Sequence, residues 1–90
     1  MKFKLGDCVA TTAADQLMQK LDIHPISLLA RHASGDDGDL GPEDKALNKA
    51  AIQTGEGRVF SSYTLPSGDK IWIITEHDRS STCIMTPEDY

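Results

Sequence analysis

Two stretches of this 90-residue chain bring proton-transferring and charge-bearing side chains close together in sequence. In the first, Arg31-His32 is followed by Asp36, Asp37 and Asp39. A histidine near carboxylates can act as a general base, and clustered aspartates can collect a hard divalent cation through oxygen. The order lacks the alternating D-x-D-x-D-G pattern and the distal Glu of a calcium loop, so no metal site is expected. The simpler account is a solvated acidic loop whose carboxylates pair with Arg31 or Lys45 and cap the next helix. The second stretch is Glu76-His77-Asp78-Arg79-Ser80. His77 as acid or base, Glu76 as carboxylate and Arg79 as cation are the ingredients for cleaving a phosphodiester. Gathered with His32 and Arg58 on one concave sheet face, they would make a metal-independent ribonuclease centre. In a tight connection between strands, however, such residues ordinarily form an exposed turn. Ser80, Ser81 and Thr82 lack the G-x-S-x-G elbow of an activated serine, and no Walker loop, dinucleotide fingerprint or H-E-x-x-H pattern occurs. No cofactor is expected.

The elements that would position these residues follow from the hydrophobic period. Lys2 to Ala10 suits a short edge strand interrupted at Gly6 and Asp7. Thr11 or Thr12 can cap a helix over 12–22 with Ala14, Leu17, Met18 and Leu21 on one stripe. Pro25 can open a second helix reaching Ala33, with Ile26, Leu28 and Leu29 inward, while His24 reads as a capping or surface residue. Ser34 to Asp44 holds three glycines, a proline and five carboxylates, which makes it a loop. Pro42, Glu43 and Asp44 fit the first turn of a third helix that buries Ala46, Leu47, Ala50 and Ala51 and stops at Gly55. From Arg58 the period becomes two. Val59, Ser61, Tyr63 and Leu65 share one side of a strand, Lys70–Thr75 is apolar on both sides and therefore central, and Ser81–Thr86 is the last strand. The fold class is α+β: two or three N-terminal helices on a three- to four-stranded antiparallel meander, in two layers and one domain over 1–90. Tyr63 and Trp72, on adjacent strands, could form a cross-strand pair or a base-stacking platform.

Composition narrows the functions. Nine Lys or Arg against fourteen Asp or Glu give a net charge of −5, so neither nucleic acid nor an anionic membrane is the default partner. A chain this short buries a thin core, which places any site on the surface or in a shallow groove. The longest strongly apolar run is Ile71–Ile74, and no apolar leader follows the first residues, so a cytoplasmic protein is expected. Cys8 and Cys83 could join only if the first and last strands were neighbours; two buried thiols are the expectation. Exposed strand edges make a homodimer plausible.

The segments Arg31-His-Ala-Ser-Gly-Asp36, Gly38-Asp39-Leu40, Glu43-Asp44 with Asn48, Arg58-Val-Phe-Ser-Ser-Tyr63 and Lys70-Ile-Trp-Ile-Ile-Thr-Glu76 form a pattern. With Asp78-Arg79-Ser80, Thr82 and Pro87-Glu-Asp-Tyr90, it resembles a family of small uncharacterised proteins encoded on plasmids and integrative elements. The likeness covers about residues 28–90 and departs at Asp37, where that family usually carries tryptophan. Such proteins are sometimes labelled restriction-modification subunits, but this chain has no cofactor-binding loop and is too short for a methyltransferase. The resemblance implies an accessory protein of a mobile element. Together these readings favour a non-enzymatic factor that binds a protein, regulating or inhibiting a host nucleic-acid-handling or defence system. Asp36, Asp37, Asp39, Glu43 and Asp44 would meet a basic face of that partner. The alternative is the small ribonuclease of barnase-like or RNase-toxin-like architecture, using His32, Arg58, Glu76, His77 and Arg79.

Overall fold

The computed structural model describes residues 2–90. Its elements run β1 (Asp7–Ala10), α1 (Thr12–Lys20), α2 (Pro25–Ala33), α3 (Pro42–Thr54), β2 (Val59–Thr64), β3 (Lys70–Thr75) and β4 (Ser81–Met85), ending in a 3₁₀ turn at Pro87–Asp89. The helices begin where local chemistry supplies a cap. Thr11 Oγ1 accepts the Ala14 N–H at 3.2 Å, and His24 Nδ1 accepts the Ile26 N–H at 3.3 Å with Pro25 in the first turn. Gly55 ends α3 in the left-handed conformation at φ 74°, which a side chain would resist.

The strands form one sheet in the order β1-β4-β3-β2. β2, β3 and β4 are the expected antiparallel meander, and β3 is central. The N-terminal strand is shorter than its alternation suggested, and it lies parallel to β4, so the sheet is mixed. The cause is the crossover: three helices carry the chain from the β1 edge to the opposite edge before the meander begins. Gly6, at φ 64°, lets the backbone press against the Ser80 carbonyl, where a Cβ would collide.

Register divides the sheet into two faces. Val59, Ser61 and Tyr63 of β2, Ile71, Ile73 and Thr75 of β3, and Thr82 and Ile84 of β4 share the inner face, all buried. Ala14, Met18 and Leu28 from α1 and α2 close over it to make the core. Phe60, Trp72, Ile74, Cys83 and Met85 alternate onto the other face. Tyr63 and Trp72 therefore point to opposite sides and make no pair.

Helix α3 does not join the core as its alanines implied. It flanks the β2 edge, burying Asn48 and Ala51 while Leu47 stays 68% exposed and Ala46 and Ala50 are exposed. Ile26, expected inward on α2, is also exposed. Asn48 explains the placement: its amide donates to the Phe60 carbonyl and its Oδ1 accepts the Phe60 N–H at 2.9 Å, so one side chain pairs with β2 as a strand would. No helix among the described residues is long and apolar enough to cross a membrane.

Candidate functional site

His32 is the only histidine of the three that the fold buries, with 0% of its surface exposed. Residues of α2, β2, β3 and β4 meet around it in a chain of hydrogen bonds. Nδ1 lies 2.6 Å from Ser61 Oγ, Nε2 lies 2.9 Å from Thr75 Oγ1, Thr75 Oγ1 lies 2.7 Å from Thr82 Oγ1, and the Thr82 hydroxyl donates to the Leu5 carbonyl at 2.7 Å. The last link fixes all the others. A carbonyl can only accept, so the Thr82 proton is committed and Thr75 must donate to Thr82. The Thr75 oxygen then receives Nε2–H. Burial pushes the pKa of His32 down to about 4 and keeps the ring neutral, so its one proton sits on Nε2 and Nδ1 accepts the Ser61 hydroxyl. The Phe3 ring packs edge-on against it at 5.1 Å. In this arrangement the imidazole pins helix to sheet, and no substrate reaches it.

Arg79 is equally committed. It adopts φ 60°, and its guanidinium donates to four backbone carbonyls: Gly57 at 2.6 Å, Ala51 at 2.9 Å, His77 at 3.1 Å and Glu76 at 3.2 Å. These bonds tie the 76–80 turn to the C-terminal end of α3, where carbonyls carry partial negative charge. Arg58 Nε pairs with Glu76 Oε2 at 3.2 Å on the surface, and His77 is exposed in the turn. The five residues of the ribonuclease reading are therefore split: His32 lies inside, Arg79 is occupied by backbone, and Arg58, Glu76 and His77 remain outside.

The acidic loop is braced from within. Asp36 Oδ2 accepts Arg31 Nε at 2.8 Å, and Arg31 also stacks over the Tyr63 ring at 4.3 Å. That hydrogen bond to Arg31 holds the Asp36 carboxyl below its usual range. Asp37 Oδ1 accepts Lys45 Nζ at 2.7 Å, and Asp39 accepts the Thr64 hydroxyl. Backbone joins in: the Ser62 N–H donates to the Asp37 carbonyl at 3.2 Å and the Asp39 N–H to the Ser62 carbonyl at 2.7 Å. Glu43 and Asp44, on the first turn of α3, stay exposed. Among the described residues no group of three or more His, Cys, Asp or Glu is arranged to hold a metal ion.

The two thiols are not both buried. Cys8 is exposed and Cys83 partly so, and both are free. Their strands are neighbours, but register sets Cys8 beside Thr82 of the inner face and Val9 beside Cys83 of the outer one. The two sulfurs leave the sheet on opposite sides, which rules out a disulfide without reversing a strand.

The feature sequence reasoning missed is the outer sheet face. The helices cover only the inner face, and the outer one carries a row of aromatic rings. Phe60 meets Trp72 edge-on at 5.1 Å, and Trp72 meets Tyr90 at 5.8 Å. Leu47, Ile74, Asp44 and Arg58 complete the walls of a groove of about 500 Å³ around these rings. It is mostly apolar, with the carboxylate of Asp44 and the guanidinium of Arg58 as its charged groups. The signal was present in β3, where Trp72 and Ile74 alternate with Ile71 and Ile73: a strand apolar on both sides, with helices enough for one.

The class this geometry defines is an α+β two-layer domain with a satisfied polar interior and an uncovered aromatic sheet face. Beyond that, no family model, no curated protein and no solved structure matches the chain.

Proposed function

We propose that the protein acts by binding another protein through the groove on its uncovered sheet face. The observation that carries this reading is the groove itself: Phe60, Trp72, Tyr90 and the exposed Leu47 form an apolar patch with charged groups at its walls, the anatomy of a docking surface. The favoured partner inserts an aromatic or branched aliphatic side chain among the rings and places a basic group beside Asp44 and Glu43. A net charge of −5 suits a partner with a basic surface, as proteins that handle nucleic acid have. The family resemblance supports the same direction: an accessory protein of a mobile element, working in the cytoplasm and restraining such a host protein. Asp36, Asp37 and Asp39 are engaged within the chain, so in this reading recognition shifts from the loop to the groove, with the exposed Asp44 in its wall and the exposed Glu43 next to it in sequence.

Trp72 is the sole tryptophan, so its emission reports directly on the groove. Peptides selected by display against the folded protein should share an aromatic or leucine anchor flanked by Lys or Arg and should change Trp72 fluorescence on binding. Leu47→Glu, at an exposed position, should abolish that binding without altering the fold. Peptides that bind equally well to Leu47→Glu, or that leave Trp72 emission unchanged, would show the groove is not the docking site.

A further inference from the structure

The sheet has two edges, and only one is sealed. Along β2, the Phe60 N–H and C=O are both taken by Asn48, and the Ser62 N–H and C=O by Asp37 and Asp39. Along β1 nothing comparable occurs among the described residues. The parallel pairing with β4 uses alternate residues: the Asp7 N–H donates to the Ser80 carbonyl at 3.0 Å and the Thr11 N–H to the Ile84 carbonyl at 2.9 Å. Residues 7, 9 and 11 thus turn their peptide groups toward β4, and Cys8 and Ala10 turn theirs outward. All four residues of β1 are exposed, and the apolar Val9 is 54% exposed.

We infer that β1 is a self-pairing edge whose partner is β1 of a second copy of this chain, making a closed two-fold dimer with one continuous eight-stranded sheet. The spacing of the free groups carries this. With a two-fold axis at Val9, antiparallel pairing sets Cys8 of each copy opposite Ala10 of the other. Those are the pairs that exchange two N–H···O bonds, so both outward N–H groups and both outward carbonyls of each copy find partners. Val9 then faces Val9 across the closely spaced position, on the outer face, and each covers the other. The sealed β2 edge explains why the partner is a single copy: with only one edge open, isologous pairing closes at two and cannot grow into a filament. The same register brings Asp7 of each copy opposite Thr11 of the other, whose hydroxyl already donates to Asp89 at 2.6 Å. Salt that screens these carboxylates should tighten the dimer.

Sedimentation equilibrium from micromolar to millimolar protein tests the assembly, and two substitutions test the register. Ala10→Pro removes an N–H that the single chain does not use, so the variant should keep its circular dichroism and thermal unfolding. Losing two intermolecular hydrogen bonds should weaken its dimer by roughly 30-fold. Val9→Cys in a Cys8→Ser, Cys83→Ser background should form an intermolecular disulfide rapidly under mild oxidation, because the position on the axis is the close one. A wild-type chain that remains monomeric throughout, a dimer unaffected by Ala10→Pro, association that weakens with salt, or Val9→Cys that fails to cross-link would each overturn the assignment. So would an edge that accepts an extended peptide of another sequence but never a second copy.

Discussion

Acidifying the solution should destabilise this protein through one imidazole. His32 is buried and neutral, with a pKa of about 4 in place of the ordinary 6.5. In the unfolded chain the ring takes up a proton as pH falls through 6.5, while the folded protein refuses it until about 4. Between those values the unfolded state binds more protons, so folding stability falls with falling pH, and the loss is complete once the folded form also protonates. Two and a half pH units at 1.36 kcal/mol each amount to about 3 kcal/mol, a large share of the ~5–15 kcal/mol that holds a domain together. The carboxylates act in a lower window: Asp36, Asp78 and Asp89 are all held below 3.8 by hydrogen bonds, so their contributions are lost only as pH drops beneath that value. Urea unfolding at a series of pH values from 7 to 4, read by Trp72 fluorescence, measures the slope. His32→Gln should be less stable than wild type at pH 7, since its amide cannot satisfy Ser61 and Thr75 with the ring's geometry, and it should lose the slope between 6.5 and 4. An NMR titration placing His32 near 6.5 in the folded protein, or an identical slope in His32→Gln, would refute the derivation.

Other perturbations probe the edge and the loop. Asn48→Leu strips β2 of two hydrogen bonds at a buried site and should cost about 2–4 kcal/mol in urea unfolding. The Leu variant also opens the second sheet edge, so light scattering should show assemblies larger than a dimer. Gly38→Ala forces a side chain at φ 70° into the Ser62 carbonyl and the Tyr63 ring and should cost about 3 kcal/mol or more. Gly68→Ala, at φ 90° with open space around it, should cost only about 1 kcal/mol by thermal unfolding. Asp36→Asn breaks an exposed ion pair and should change stability by less than about 1 kcal/mol.

The α+β plan, the three helices and the antiparallel meander were legible because each rests on local chemistry. Thr11 and His24 cap, Pro25 and Pro42 start helices, Gly55 stops one, and the period of two from Val59 to Leu65 holds in the structure. The pairing of β1 with β4 was not legible, since its direction depends on the long crossover and not on any residue in either strand. The roles of polar residues were also hidden. His32 and Arg79 have the same composition of neighbours in sequence whether they face solvent or interior. Only burial and the positions of the Ser61, Thr75 and Ala51 oxygens distinguish a catalytic group from a structural one. Leu47 and Ile26 misled for the converse reason: apolar spacing predicts a buried stripe, but α3 packs through Asn48 and Ala51 and α2 through Leu28, which leaves those two side chains exposed.

The contact between β1 and β4 joins residues far apart in the chain, and the Thr11 to Asp89 hydrogen bond spans 78 positions. During synthesis the first strand therefore emerges with no neighbour to lie against, and α1 and α2 must hold Ala14, Met18 and Leu28 over a sheet that has not yet been made. The strands that complete this surface follow the helices in the chain, so the inner sheet face and the helices that cover it consolidate together. Consolidation of the core therefore waits on pairings distant in sequence, which slows folding relative to a helical bundle of the same size.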